Sequence, residues 1–172
     1  MAGRLTFELF ESTCPVTCEN FKCLLTGEKG KSTISQIPLH YKGSKVHRVF
    51  SDYILQAGDF TRGDGRGGET ISGVPLPDED RITQVFTPTA GLLAMANIPE
   101  IPSSATSQFF ITLTASALPH LDGKYTIFGH VKSGKELLTV ISKYGDPLKG
   151  LVNADITISD CGISDKLVFI GR

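Results

Sequence analysis

The chain has 172 residues, of which 40% are hydrophobic and 20% charged, and its formal net charge is −1. This length and composition are typical of a single globular domain, spanning 1–172, with a sizeable core. The nearly neutral charge does not favour nucleic acid or an anionic membrane as a partner, and no apolar run reaches the roughly 20 residues of a membrane-spanning helix.

The first residues, M-A-G-R, contain no apolar segment of the kind found in secretory signals. The four cysteines are Cys14, Cys18, Cys23 and Cys161, and no C-x-x-C motif occurs. Half-buried thiols in a reducing compartment explain them better than disulfides or a metal site do. We therefore expect a protein of the cytoplasm or the nucleus.

The first third of the chain predicts one strand and one helix. Residues 4–10 alternate polar and apolar side chains, which is typical of a strand. Pro15 suits the first position of a helix, apolar residues then recur at helical spacing, and Gly27 is placed to end it. A polar loop is expected over 26–40.

The stretch from Val46 to Asp59 predicts two extended segments joined at Ser51-Asp52. Arg48 and Gln56 are polar residues among apolar neighbours, and Gln56 shares a face with Ile54 because side chains alternate along a strand. An exposed Arg48 that only covers apolar surface with its stem is the alternative interpretation.

Two glycine motifs invite comparison with phosphate-binding loops, and neither fits. The G-K-S at 30–32 lacks the glycine needed five residues earlier and the strand that should precede it. Gly63, Gly65 and Gly68 match G-x-G-x-x-G, but no helical pattern follows them. This second motif predicts a loop that is either mobile or tightly turned.

The remaining elements are mostly strands. In 107–113, Gln108 and Phe110 share one face. The other predicted elements are strands at 91–96, 125–131 and 155–161, a helix at 135–144, and a last apolar run at 167–170. Seven or eight strands with two widely separated helices favour a mainly β fold, a closed or nearly closed antiparallel barrel with helices over its ends.

The ordered motifs of the chain resemble those of the cyclophilins, the peptidyl-prolyl cis-trans isomerases. They are C-P-V-T-C-E-N-F at 14–21, Y-K-G-S-K-V-H-R-V at 41–49, Q-A-G-D-F-T-R-G-D-G-R-G-G at 56–68, G-L-L-A-M-A-N at 91–97, S-Q-F-F-I-T at 107–112, L-D-G-K at 121–124 and F-G-H-V at 128–131. The resemblance implies an eight-stranded closed antiparallel barrel capped by two α-helices, with a proline pocket on its outer face.

The resemblance also implies the site residues. Its catalytic positions correspond to Arg48, Gln56 and Phe110. Positions that would contact the substrate are Tyr53, Ile54, Ala96, Asn97, Ile98, Gln108, His120, Leu121 and Tyr125. The implied reaction is non-covalent and requires neither a cofactor nor a metal, and the implied partners of a monomeric protein are proline-containing peptides and proteins.

Several positions depart from the family pattern. Ile54 replaces a usual methionine, Ile98 an alanine and Tyr125 a histidine. His120 stands where many members have the tryptophan that contacts cyclosporin, so we expect cyclosporin binding to be possible but weakened. The loop after Asn97 is two residues longer than usual.

Two other functions are compatible with parts of this pattern. The first is a module that binds proline-containing peptides within a larger assembly and has little or no isomerase turnover, which is compatible with the altered residues at the pocket rim. A lipocalin-like barrel for small ligands requires an open interior, which the large apolar residues of these strands disfavour.

One strand of the family pattern is missing. Cyclophilins usually have a strand before the G-R that here is Gly3-Arg4, and this sequence begins too late to contain it. Residues 166–170 could fold back on 155–161 and fill that gap, or could form an ordinary flexible tail.

Overall fold

A computed structural model of the protein describes residues 2–79 and 87–164. Its strands and α-helices are, in chain order, β1 (Thr6–Leu9), α1 (Pro15–Thr26), β2 (Val46–Phe50), β3 (Ile54–Ala57), β4 (Leu92–Met95), β5 (Phe109–Thr112), β6 (Ile127–Ser133) and α2 (Lys135–Ser142). A short 3-10 turn at Pro119–Leu121 precedes β6. The sequence predicts each of these strands and both α-helices, with ends that differ by one or two residues.

Neither α-helix in the described part of the chain has the length and apolar character needed to cross a bilayer.

The strands form one antiparallel sheet in the order β1-β6-β4-β5-β3-β2. β2 and β3 make the predicted hairpin, in which Tyr53 N–H donates to Phe50 O at 3.0 Å. Asp52 adopts the left-handed backbone conformation, with φ of 56°, that this tight connection requires.

Both faces of the sheet are apolar. The inner face carries Val49, Leu55, Leu93, Phe109 and Phe128, which pack with the α-helices in the main core. Phe21 of α1 anchors that core, with its ring centroid 5.1 to 5.4 Å from those of three other aromatic residues, Tyr41, Phe109 and Phe128. The alternate residues of the same central strands point outward into a second apolar cluster. The central strands are therefore buried on both sides.

The predicted closed barrel of eight strands is wrong for the residues that the structure describes, which form a six-stranded sheet with β1 and β2 at its edges. The predicted strand at 155–161 does run beside the residues that precede β2. Three backbone hydrogen bonds of 2.7 to 2.9 Å join the two segments: Val46 N–H donates to Ile156 O, Gly43 N–H to Ile158 O, and Ile158 N–H to Ser44 O. Only one residue pair between them, Lys45 and Thr157, forms a β-bridge, so the segment does not become a strand of the sheet. The proposed fold-back of 166–170 lies outside the described residues.

Helix α1 is capped by a residue far away in sequence. Pro15 occupies its first turn as predicted, and Gly27 ends it in the left-handed conformation at φ 71°. The residue at the N-cap position gives no side-chain bond. Instead, the carboxylate of Glu79 accepts bonds from the N–H groups of Val16 at 2.9 Å and Thr17 at 2.7 Å. These bonds tie the loop that contains Glu79 to the helix.

The glycine-rich segment 61–68, called the glycine loop below, is tightly turned around the buried carboxylate of Asp59. This carboxylate accepts five hydrogen bonds of 2.9 to 3.2 Å, from the side chain of Thr61 and the backbone N–H groups of Arg62, Asp64, Gly65 and Gly67. A Cβ atom at Gly67 would overlap both Asp59 Oδ1 and Thr61 Oγ1. The tightly turned form of the predicted loop is therefore the one present.

The bonds from the glycine loop stabilise the ionised form of Asp59. Burial raises the pKa of this carboxyl group, but the backbone N–H groups of Arg62 and Gly67, followed by those of Gly63 and Gly65, outweigh burial and lower the pKa from 3.8 to about 2. Since the pKa is lower in the folded state, ionisation of Asp59 contributes about 2 kcal/mol to the free energy of unfolding at neutral pH. That contribution is lost as the pH falls from about 4 through about 2.

We predict that Asp59→Asn lowers the free energy of unfolding at pH 7 by about 2 kcal/mol. An asparagine retains one acceptor oxygen, so some loop N–H groups lose their partner. Urea unfolding of both proteins from pH 7 to pH 2 measures the difference. This difference should shrink below pH 4, and a difference that stays constant to pH 2 contradicts the account. Asp64→Asn, in the same loop but with an exposed carboxylate, is the matched control.

Candidate functional site

The strand register places the three predicted catalytic residues in one row across the sheet. Arg48 on β2 lies opposite Gln56 on β3, and Gln56 lies opposite Phe110 on β5. The row continues through Ala94 on β4 to Ile127 on β6. Because residues that are directly opposite share a face of the sheet, all five side chains belong to the outer face.

The apolar part of this outer face is a compact cluster. Its buried members are Leu92, Ala94, Phe110, Leu118, Leu121 and Ile127, and its partly buried members are Phe10, Tyr53, Ile54, Ala96 and Tyr125. The Phe110 ring is buried and forms a T-shaped contact with the Tyr125 ring, with the centroids 5.1 Å apart and the ring planes at 86° to each other. Phe110 therefore forms a floor whose rim is partly open to solvent.

Arg48 borders this cluster on the side of β2 and is exposed, whereas the next residue, Val49, is completely buried in the core. Alternation along the strand explains the contrast. Among residues 2–79 and 87–164, no carboxylate forms an ion pair with Arg48. Its guanidinium group, which stays charged at any ordinary pH, is thus accessible to a ligand.

A chain of hydrogen bonds orients Gln56. Its Nε2 donates to Gln108 Oε1 at 2.8 Å. Gln108 Nε2 donates in turn to the carbonyl oxygens of Gly65 at 3.0 Å and Gly67 at 2.7 Å, in the glycine loop. The side-chain amide of Gln56 is therefore held in place beside Arg48.

The rim of the cluster also carries a polar pair. Tyr53 Oη lies 2.9 Å from His120 Nε2, and the two rings stack with centroids 5.7 Å apart. His120 and Leu121 both belong to the 3-10 turn, which holds Leu121 in the apolar cluster and His120 above it. Burial raises the pKa of Tyr53, with a smaller contribution from Tyr125, so the Tyr53 hydroxyl is protonated at neutral pH.

The remaining predicted contacts lie where β4 ends. Ala96 N–H donates to Gln108 O at 2.9 Å, and the Asn97 side chain donates to Lys124 O at 2.9 Å. The structure thus brings Ala96 and Asn97 to the edge of the cluster. Ile98 is different, because it is exposed on the lengthened loop, outside the apolar cluster.

His47 lies on the opposite side of β2 from Arg48, against Gly65 of the glycine loop. Burial lowers its pKa despite the opposing effect of the Asp59 charge, so its ring is neutral at pH 7. Within the described ranges, no cluster of three or more His, Cys, Asp or Glu residues is arranged to hold a metal ion.

Sequence reasoning missed Asp59. It lies directly after Q-A-G in the motif at 56–68, and its signal was the run of small and glycine residues that follows it. A carboxylate at the start of such a run can accept the N–H groups that a tight loop points inward. The sequence pattern predicts a tight glycine loop but not the internal anion, Asp59, to which the N–H groups of Gly65 and Gly67 donate.

Comparison with known proteins shows one family over most of the chain. The family model described as "Cyclophilin type peptidyl-prolyl cis-trans isomerase/CLD" matches residues 1–163. The chain is 44% identical over 162 residues to the "Peptidyl-prolyl cis-trans isomerase cyp11" of Rhizopus delemar, covering 93% of this chain and 46% of that protein. It is 42% identical over 161 residues to the mouse and human proteins named "NK-tumor recognition protein", covering 94% of this chain and 11% of each.

The chain therefore spans less than half the length of these curated relatives. The match to the family model nevertheless extends over almost all of the chain, including the sheet, both α-helices and every residue of the outer-face site. The protein belongs to the family of cyclophilin-type peptidyl-prolyl cis-trans isomerases.

Proposed function

We propose that this chain accelerates cis-trans rotation about X-Pro peptide bonds. The observation that carries the proposal is the outer-face row, in which a charged donor, Arg48, stands beside an oriented amide, Gln56, and an aromatic floor, Phe110. These groups supply a donor for the proline nitrogen, an anchor for the flanking peptide and an apolar surface for the proline ring, which together favour the rotation.

The barrier to rotation, roughly 20 kcal/mol, arises because the proline nitrogen shares its lone pair with the carbonyl group. In the twisted transition state this delocalisation is lost, and the lone pair is localised on a pyramidal nitrogen. A hydrogen-bond donor aimed at that nitrogen stabilises the transition state more than the planar ground states. Arg48 is the exposed, permanently charged donor at the edge of the apolar cluster.

The apolar cluster supplies the second requirement, which is to hold the ring while the acyl side turns. Phe110 and Leu121 are buried, and Ile54 lies partly exposed beside them. A proline ring placed there would bury apolar surface without losing a hydrogen bond, because proline has no N–H. Gln56 and the backbone at Asn97 can bind the flanking peptide, which keeps the proline fixed relative to Arg48.

The proposed reaction involves no proton transfer, nucleophile or metal. Neither histidine near the site is needed as an acid or base: His47 packs on the inner side of β2, and His120 is hydrogen-bonded to Tyr53.

We propose that the protein is a monomer whose partners are proline-containing peptides and proteins. We further propose a cytoplasmic or nuclear location, which is supported by four cysteines that are all thiols.

A second candidate function is a proline-peptide binding module with little turnover. It is favoured by the altered rim, where the Tyr53–His120 pair borders the cluster and Ile98 projects into solvent. It also suits a chain that matches only a part of much longer relatives. Such a module would bind a peptide without accelerating its isomerisation.

We predict that Arg48→Ala lowers the isomerisation rate by a factor of about 10² to 10³, by analogy with the loss of one transition-state donor. NMR exchange spectroscopy on a short X-Pro peptide measures the rate. Arg66→Ala, which removes an exposed arginine of the glycine loop, should leave it unchanged. A loss of less than threefold with Arg48→Ala rules out this role of the guanidinium group, and binding by wild type without faster exchange supports the second candidate.

We also predict that His120→Trp tightens cyclosporin binding at least tenfold, because an indole adds apolar contact area and an N–H donor at the rim. Isothermal titration of cyclosporin measures the dissociation constant. Tyr53→Phe is the matched control, since it removes the hydroxyl that contacts His120 but adds no indole. If Tyr53→Phe alone gives the same gain, the polar pair and not the missing indole weakens the affinity. An unchanged affinity in His120→Trp contradicts the prediction.

A further inference from the structure

The residues that bind the Asp59 carboxylate also bind Gln108. Gly65 and Gly67 each donate their N–H to Asp59, at 2.9 and 3.0 Å, and each presents its carbonyl oxygen to Gln108 Nε2, at 3.0 and 2.7 Å. The N–H groups of Gly65 and Gly67 thus bind the buried Asp59 carboxylate, and the carbonyl groups of the same two residues bind the Gln108 amide. The position of their carbonyl groups depends on Asp59.

Those carbonyl groups decide which way the Gln108 amide points. In the reverse orientation, Gln108 Oε1 would face two carbonyl oxygens, which cannot donate. With Nε2 bound to the loop, Oε1 faces Gln56, and Gln56 must then turn its own Nε2 toward Gln108. The Oε1 atom of Gln56 is left for other partners, next to Arg48 in the strand register.

From this relay we infer that Asp59 is a positioning residue for the site: acting through the glycine loop and Gln108, it fixes which end of the Gln56 amide faces the bound peptide. Gln56 would then present an acceptor oxygen to the peptide and to Arg48. The effect on turnover rests on the proposed function, whereas the orientation of the two amides does not.

Asp64 provides a control for a purely local effect on the loop. Its carboxylate lies in the same glycine loop, is exposed, and accepts bonds from Arg66 N–H at 2.9 Å and from the Arg62 side chain at 3.2 Å. It makes no described bond to Gly65, Gly67 or Gln108. Asp59→Asn and Asp64→Asn therefore make the same chemical change in one loop, at positions that differ in their link to the site.

The first experiment records the side-chain NH₂ signals of Gln56 and Gln108 by ¹⁵N NMR in the wild type and both variants. The signals are assigned by their loss in Gln56→Glu and Gln108→Glu. We expect Asp59→Asn to shift or broaden both pairs of signals and Asp64→Asn to leave them in place. Unchanged signals in a folded Asp59→Asn protein overturn the inference. If that variant does not fold, Thr61→Val removes one donor to Asp59 and one acceptor of Gly68 N–H, and the same outcomes apply.

The second experiment measures kcat/KM with an X-Pro peptide. Asp59→Asn should lower kcat/KM about tenfold and Asp64→Asn by less than twofold. When combined with Gln108→Ala, Asp59→Asn should add no further loss, because both changes disrupt one relay. Losses that multiply in the double variant overturn the inference. If the wild type does not accelerate cis-trans exchange, only the proposed function is contradicted. The amide signals of the first experiment then still test the inference about Asp59.

Discussion

The structure depends on a sheet that is apolar on both faces. Its inner face is covered by α-helices in the main core, whereas the outer cluster is covered by the 3-10 turn and by partly exposed rings such as Tyr53 and Tyr125. Burial of the central strands on both sides makes the sheet rigid enough to hold side chains at fixed spacing. Arg48 and Gln56 stand where this outer cluster ends, so charged, amide and apolar groups meet there.

The polar part of the site is built around Asp59, the glycine loop and Gln108, which are joined by many hydrogen bonds. Asp59 accepts five bonds, and both hydrogens of the Gln108 amide point to loop carbonyl oxygens. A densely paired network of this kind is rigid, whereas a half-paired one in a low dielectric is costly. The strand register sets the position of Gln56 between Arg48 and Phe110. The orientation of its amide follows from Gln108 and the glycine loop.

Much of this arrangement follows from local patterns in the sequence. Alternation along 46–57 and 107–113 predicts the hairpin, a face shared by Gln56 and Ile54, and a face shared by Gln108 and Phe110. In the structure Ile54 and Phe110 lie in the outer cluster, and Gln56 is opposite Phe110. Register across strands is not local, so only the resemblance to a family brought Arg48 and Phe110 together. Closure of the sheet could not be predicted either. The alternation at 155–161 indicates which residues point inward, but not how many residue pairs this segment forms with its neighbour.

The central claim is that the proline ring binds on the outer face against Phe110. Intermolecular NOEs between an isotope-labelled X-Pro peptide and the protein test it most directly. We expect contacts from the proline ring to the Phe110 ring and to the methyl groups of Leu121 and Ile54. Contacts instead to the apolar groove beside α1, which includes Val16 and Leu76, or bound peptide without contacts to Phe110, would contradict the claim.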